Sequence, residues 1–576
     1  MDEAHVNQIG IEYIDLGCRY FETKDYNRAS ACLTKGAECL ETVYGVKGDK
    51  LVHKRYYGLL ASMAFYAGFQ YSRAFLLIGK FRVETLIASF IDLFLRRKFD
   101  ELTSEIEHLV VKQEYDDARL SHSEDFEDAY GKVFELTFAK CLYCFVQYFY
   151  TGDESLVLSA KEKLQLLLDI TQSEGFVDLW WVARLLILIN DGFRQSSLWT
   201  ALGGYYDLHD KDSLARKYVL ALTYKQPAIT ELFLSQREAL PKLLNHETKG
   251  IVVTIPTSSG KTRIAEIAVI DALTKNPDAK ILYVAPFRSL AYEIERSLGD
   301  LLSVAGIKVS HLYGGGLFTS LDAEELSDAN VVIATPEKTK AIFRCQTDFF
   351  KNLSLVVLDE GHLIGGDARQ LSNEIFYEEL KRFLTDYPCK YLLLSAVLPN
   401  PSDLSDWLTG SRDNVYNNDW RPSKQICGIL TWDGVSVNLE WYNGKKIVIN
   451  KNFVERYALP EIPRQRKTHY YPSNKTEAIV ETAKKLESLG TTLIFVSQKR
   501  SCKTYADAYD KSIEGEQSFE FHDKLTARIF ELVCKETYKD PEIYRYAQKG
   551  VFYHNADLFA DVRIALEALM RREHPE

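Results

Sequence analysis

The sequence predicts a multidomain chain: an all-α N-terminal region of helical hairpins, then an α/β region with a parallel sheet. Three observations carry this. Residues 1–205 are sparse in Gly and Pro, and their apolar side chains recur at three- and four-residue spacing, the period of an amphipathic helix. From Ile251 the texture changes, and short β-branched runs alternate with helical patterns: Ile251–Ile255, Ile281–Ala285, Val331–Thr335, Leu355–Leu358 and Tyr391–Leu394. Such alternation predicts a parallel sheet wrapped by helices, its strands apolar on both faces. Finally, 576 residues are too many for one core and should divide into roughly three or four domains.

Within the helical region the clearest unit runs from Tyr13 to Glu41. Leu16, Gly17 and Tyr20, then Ala29, Leu33 and Gly36, fall where a tetratricopeptide-type hairpin places its small and large packing residues. Residues 60–80 and 139–165 read as looser hairpins without a strict period, so a helical bundle and a repeat solenoid both fit. Cys141 and Cys144 sit in an apolar aromatic run with no second pair beside them, which reads as buried packing rather than a metal or redox site. Glu101–Asp128 is dense in carboxylates and reads as a solvated face. Trp180, Trp181 and Trp199 read as helix-packing aromatics. Tyr224–Pro227 breaks the helical pattern, and a new helix carries Leu232–Leu240.

Chemistry concentrates in two stretches. Ile251–Ile255 is a strand pattern ending in a loop with Thr257, Ser258, Ser259 and Gly260, and Lys261 and Thr262 open a helix. Loop amides and the helix N-terminus would cradle a polyphosphate. Lys261 would reach its β- and γ-phosphates, and the Thr262 hydroxyl would ligate Mg²⁺. Ile255 stands where the phosphate-loop pattern asks for Gly or Ala, so a chance Gly-Lys-Thr is the competing reading of this stretch alone. The second stretch, Leu355–His362, delivers Asp359 and Glu360 to the carboxyl edge of the sheet, where open α/β folds bind ligands. Asp359 can hold Mg²⁺. Glu360 can orient the attacking water and take its proton. His362 either couples the nucleotide to the rest of the protein or caps a turn.

Taken in order, these residues resemble a superfamily 2 helicase of the DEAD/DEAH-box type, nearest its Ski2-like branch. Pro256–Thr262 resembles motif I, Ala285–Glu293 motif Ia, Ile333–Lys338 motif Ib and Asp359–His362 motif II. Leu394–Val397 stands at motif III, with Val397 where Thr is usual, and Leu398–Leu408 continues as in Ski2-like enzymes. Gln236 lies where the adenine-reading glutamine would be, and an amide can donate and accept at once. The resemblance implies ATP and Mg²⁺ as cofactors, with Mg²⁺ at Thr262 and Asp359. It also implies a coupling role for Ser395 and nucleic-acid backbone contacts at Pro286, Arg288, Thr335 and Pro336. For Arg288 an ordinary surface ion pair competes; Gly314–Gly316 reads equally as a flexible turn. Thr491–Ser497 looks like the first strand of a second RecA-like domain, and Gly550–Leu558, with Arg563 and Glu567, like the family's segment before motif V.

The expected organisation is therefore a helical partner-docking region (1–205), a linker and adenine-reading helix (206–250) and a first RecA-like domain (251–420). A basic linker (421–474) and a second RecA-like domain (475–576), truncated before motifs V and VI, complete it. The linker's Lys445, Lys446, Lys451, Arg464, Arg466 and Lys467 read as a solvated face or a nucleic-acid rim. No arginine-finger pattern appears, so the expectation is the N-terminal part of a longer helicase or one half of a split one. The expected function is ATP-dependent movement on single-stranded DNA or RNA, or on a duplex with a single-stranded end. A nucleotide-gated scaffold that switches partner binding without unwinding is the alternative. A helical region on a Ski2-like helicase also resembles the helicase subunit of Hachiman-type antiphage systems, which implies a nuclease as its protein partner. The net charge of −11 supplies no global field for nucleic acid, so a local groove is required. Scattered cysteines and an acidic N-terminus without a signal-like apolar stretch point to a cytoplasmic protein with no membrane partner.

Overall fold

The computed structural model describes residues 3–45, 51–80, 85–115, 126–312, 318–364, 368–443, 446–458, 470–487, 490–512, 527–528, 531–532, 535 and 541–570. It divides into two compact units, Met1–Lys424 and Gln425–Glu576.

The first unit begins with the helices Glu3–Glu22 and Tyr26–Gly45 as an antiparallel hairpin. Their closeness depends on glycine: a Cβ on Gly17 would lie 2.7 Å from Leu33 Cγ, and one on Gly36 2.7 Å from the Gly10 carbonyl oxygen. Leu33 fills the seam as expected, whereas Leu16 is 40% exposed. The buried face runs Gly10, Ile14, Gly17, Cys18 and Phe21, the i, i+3/i+4 stripe, and Leu16 falls on its far side. Further hairpins follow at Leu51–Ala67 with Tyr71–Ile78, and at Phe126–Thr151 with Glu154–Glu174. Phe90, Phe94, Phe145, Phe149 and Phe193 interleave between them, all buried, each contributing roughly 1.5–3 kcal/mol of apolar burial. The buried Cys141 thiol donates to the Ala160 carbonyl, and Trp199 donates its indole N–H to the Phe149 carbonyl at 2.8 Å. Within the expected carboxylate-rich face, residues 116–125 lie outside the described residues.

The sheet has seven strands, all parallel, in the order β3-β4-β2-β5-β6-β1-β7. These are β1 Gly250–Thr254, β2 Lys280–Val284, β3 Val309–Leu312, β4 Val331–Ala334, β5 Leu353–Leu358, β6 Lys390–Ser395 and β7 Val415–Asn417. The five expected strands are present within one or two residues; the short edge strands β3 and β7 had too little apolar pattern to be read. Alternate side chains enter two cores. Val252, Leu282, Val332, Val356 and Leu393 face one core with Leu326, Ile342, Phe376, Leu380 and Leu408. Ile251, Val253, Ile281, Ile333, Val357 and Leu394 face the other, which is continuous with the N-terminal helices back to Ile14. The helical region and the sheet thus share one hydrophobic core.

The second unit holds an antiparallel sheet of β8 Gly428–Trp432, β9 Ser436–Asn443 and β10 Lys446–Glu455, in the order β10-β9-β8. The expected basic linker is therefore folded over much of its length; Lys445, Arg464, Arg466 and Lys467 lie outside the described residues. Helices follow at Lys475–Glu487, Lys499–Ser512, Pro541–Gln548 and Ala560–Met570. Thr491–Ser497 forms no strand, with Leu493 77% and Phe495 92% exposed. A buried parallel strand is made by its ladder to neighbours, and no strand among the described residues pairs with this segment. No helix among the described residues is long and apolar enough to cross a membrane.

Candidate active site at the sheet edge

The loop after β1 turns through Ser258 (φ 66°) and Gly260 (φ 83°) into the helix Lys261–Lys275. Gly260 is required twice over: its φ is left-handed, and a Cβ there would lie 1.9 Å from the Gln236 side-chain nitrogen. Gln236 donates to the Gly260 carbonyl at 3.0 Å and accepts from the Phe233 amide at 2.8 Å, closing the first turn of the helix Leu234–Leu243. Thr257, Ser258 and Thr262 are exposed. Ser259 is buried, its hydroxyl donating to the Trp420 carbonyl at 2.8 Å. That side chain braces the loop against Trp420.

β5 and β6 bring the second stretch to the same edge. Lys261 Nζ lies 3.2 and 3.3 Å from the two Glu360 carboxylate oxygens, joining residues 99 apart in sequence. Glu360 adopts a left-handed backbone (φ 51°) at the strand end. The Asp359 carboxylate accepts from the Tyr283 hydroxyl at 2.8 Å and from the Glu360 amide at 2.8 Å. Burial raises the Asp359 carboxyl above its usual range, although these two donors pull the other way. Burial, then the Asp359 charge, hold the Tyr283 phenol well above its ordinary value. His362 Nδ1 lies 3.2 Å from a Glu360 oxygen and 3.3 Å from Ser395 Oγ, at the end of β6. Ser395 pairs in register with Thr254 of β1. Lys261, Asp359, Glu360, His362, Ser395 and Gln236 are thus drawn together across the ends of β1, β5 and β6 and the helix Leu234–Leu243.

The expected nucleic-acid residues are placed differently. Pro286, Thr335 and Pro336 are buried; Thr335 caps the helix Pro336–Cys345 by accepting from the Lys338 amide. Arg288 is exposed and has no ion-pair partner among the described residues, which removes the surface salt bridge as its explanation. Gly314–Gly316 lies outside the described residues. Sequence reading missed Tyr283, Trp420 and Phe233. Only Tyr283 carried a signal, a polar-tipped aromatic in a strand that must sit beside β5.

A Mg²⁺–triphosphate fits this donor set. Gly260 keeps the cradle open, a cation and two carboxylates converge beside it, and Thr262 is exposed in the first helical turn. Residues 234–404 match the DEAD/DEAH box helicase family. Across 99% of its length the chain is 34% identical to the Hachiman protein HamB of Bacillus cereus, of which it covers 50%. It is also 30% identical over 348 residues to the ATP-dependent DNA helicase Hel308 of Pyrococcus horikoshii, covering 60% of this chain and 42% of that one. The chain spans about half the length of these relatives. Among solved structures, the DUF1998 helicase MrfA bound to DNA is similar over 55% of this chain and 42% of that one, at 20% identity and a TM-score of 0.39.

Proposed function

We propose that this chain is the ATP-hydrolysing part of a nucleic-acid translocase or helicase, whose helical region docks a protein partner in antiviral defence. The observation that carries the reading is the Lys261–Glu360 pair at the carboxyl edge of the sheet. When bound, ATP supplies the transferable phosphoryl group and Mg²⁺ neutralises charge on it. Thr262 and Asp359 would hold the metal. Lys261 exchanges its carboxylate partner for phosphate, and Glu360, so released, orients the attacking water and accepts its proton. His362 transmits the change at Glu360 to Ser395. Arg288 contributes a charge to a strand's phosphate backbone, a contact without sequence information. The segment Gly550–Leu558 would belong to a second RecA-like domain.

The partner and defence roles rest on the similarity to the Hachiman protein HamB. A nuclease is the expected partner, as effector of the defence. The test is ATP hydrolysis and strand displacement by the whole protein, on DNA and RNA, with Lys261→Ala as control. Nucleic-acid-stimulated hydrolysis and displacement, both lost in the variant, are expected. ATP-dependent partner release with no movement on any strand would instead establish the nucleotide-gated scaffold.

A further inference from the structure

The loop that carries Gln236 is anchored in the helical region by a buried charge. Glu231 is 2% exposed at its side chain, and Arg97, which pairs with it, is 12% exposed. One Glu231 oxygen accepts from Arg97 and from the Tyr66 hydroxyl; the other accepts from Ser196 Oγ at 2.8 Å. The backbone is held as well: Leu232 N–H donates to the Ser196 carbonyl at 2.8 Å, and Leu198 N–H to the Thr230 carbonyl at 2.9 Å. Arg97 sits in a left-handed turn (φ 60°) between the helices Leu86–Leu95 and Phe99–Val110. Although burial opposes its charge, Tyr66 and Glu231 beside it hold the guanidinium above its ordinary value.

Two residues further on, Phe233 stacks on Tyr71 of the helical region, ring centroids 6.3 Å apart and planes 19° apart. Arg237 lies 4.7 Å above the Phe69 ring. Phe233 N–H is the donor that fixes the Gln236 amide, whose other end reaches Gly260. Every contact from Arg97 to the phosphate loop is therefore a direct one.

We propose that Glu231 is a positioning residue for the nucleotide base: clamped by Arg97, Tyr66 and Ser196, it pins Thr230–Phe233 and so holds Gln236 in place, making affinity for adenine a property of the helical region. The proposal rests on the reading of Gln236 as the adenine-contacting residue. The clamp reaches the phosphate loop only at its rim, through Gln236 and the Gly260 carbonyl, whereas Lys261 pairs with Glu360 outside it, so loss of the clamp weakens the hold on the base more than the hold on the phosphates. A charge buried with three donors is stiff, since losing Ser196 leaves one oxygen unsatisfied and losing Arg97 leaves the charge unpaired.

The experiment is calorimetric titration of the chain with Mg²⁺–ATP and, separately, with Mg²⁺–tripolyphosphate, which has no base. Glu231→Gln keeps the shape and loses the charge; Tyr66→Phe removes one donor and serves if Glu231→Gln fails to fold. The expected result is ATP affinity weakened about tenfold, equivalent to ~1.4 kcal/mol, with tripolyphosphate affinity weakened by much less. Equal weakening of both ligands, or of neither, in a folded variant overturns the proposal. Gln236→Ala separates the two layers. If it weakens ATP selectively and the clamp variants do not, the clamp alone fails; if it leaves ATP binding intact, the base reading fails and takes the clamp with it.

Discussion

Two ion pairs of one unit, Arg97–Glu231 and Lys261–Glu360, show how burial divides the work of charge. In the first, both partners are enclosed and the carboxylate is completed by Tyr66 and Ser196. In the second, Glu360 is 23% exposed at the open edge of the sheet and has His362 as an alternative neighbour. A buried pair costs too much to separate, so it fixes geometry. A pair at the sheet edge can exchange partners, because water and a competing anion reach it. On the proposed reading, the same chemistry would serve as a pin in the helical region and as a switch at the phosphate loop.

The sharpest way to break the comparison is Lys261→Ala. If the edge pair is functional, nucleic-acid-stimulated hydrolysis by the whole protein should fall by about 10²–10³, while the unfolding midpoint stays near that of the natural sequence. Arg97→Met should do the reverse. Stranding the Glu231 carboxylate should destabilise the first unit by about 3–5 kcal/mol in urea unfolding, and pairing the change with Glu231→Leu should recover most of it. An Arg97→Met variant as stable as the natural chain would erase the distinction. The smallest effect concerns Tyr283→Phe. Losing the hydrogen bond to Asp359 should weaken Mg²⁺-dependent ATP binding by a factor set by ~0.5–1.5 kcal/mol, read from a Mg²⁺ titration at fixed ATP.

The edge pair was legible in the sequence, and the buried one was not. Lys261 and Glu360 lie in local patterns, a strand followed by a glycine-containing loop and a strand followed by two acids, and each pattern dictates its own position at the sheet edge. Arg97, Tyr66 and Glu231 are separated by up to 165 residues, and nothing local marks any of them as partners. The same difference explains the fold. The strands β1, β2, β4, β5 and β6 announce themselves as apolar runs, while the sharing of one core by helices and sheet is a tertiary fact. Leu16 was misplaced because the hairpin's register depends on Gly10 and Gly17, which admit the partner helix on one side only. Thr491–Ser497 reads as a strand from its side chains, but a strand also needs a neighbour.

The central claim is that Glu360 alternates between neutralising Lys261 and activating water. It is tested most directly by Glu360→Gln, measuring ATP affinity by calorimetry and hydrolysis in a single turnover of the whole protein with nucleic acid bound. Removing the carboxylate frees Lys261, so ATP should bind as tightly as before or more tightly, while hydrolysis falls by about 10²–10⁴, the range of a lost general base. Hydrolysis unchanged in Glu360→Gln would contradict the account.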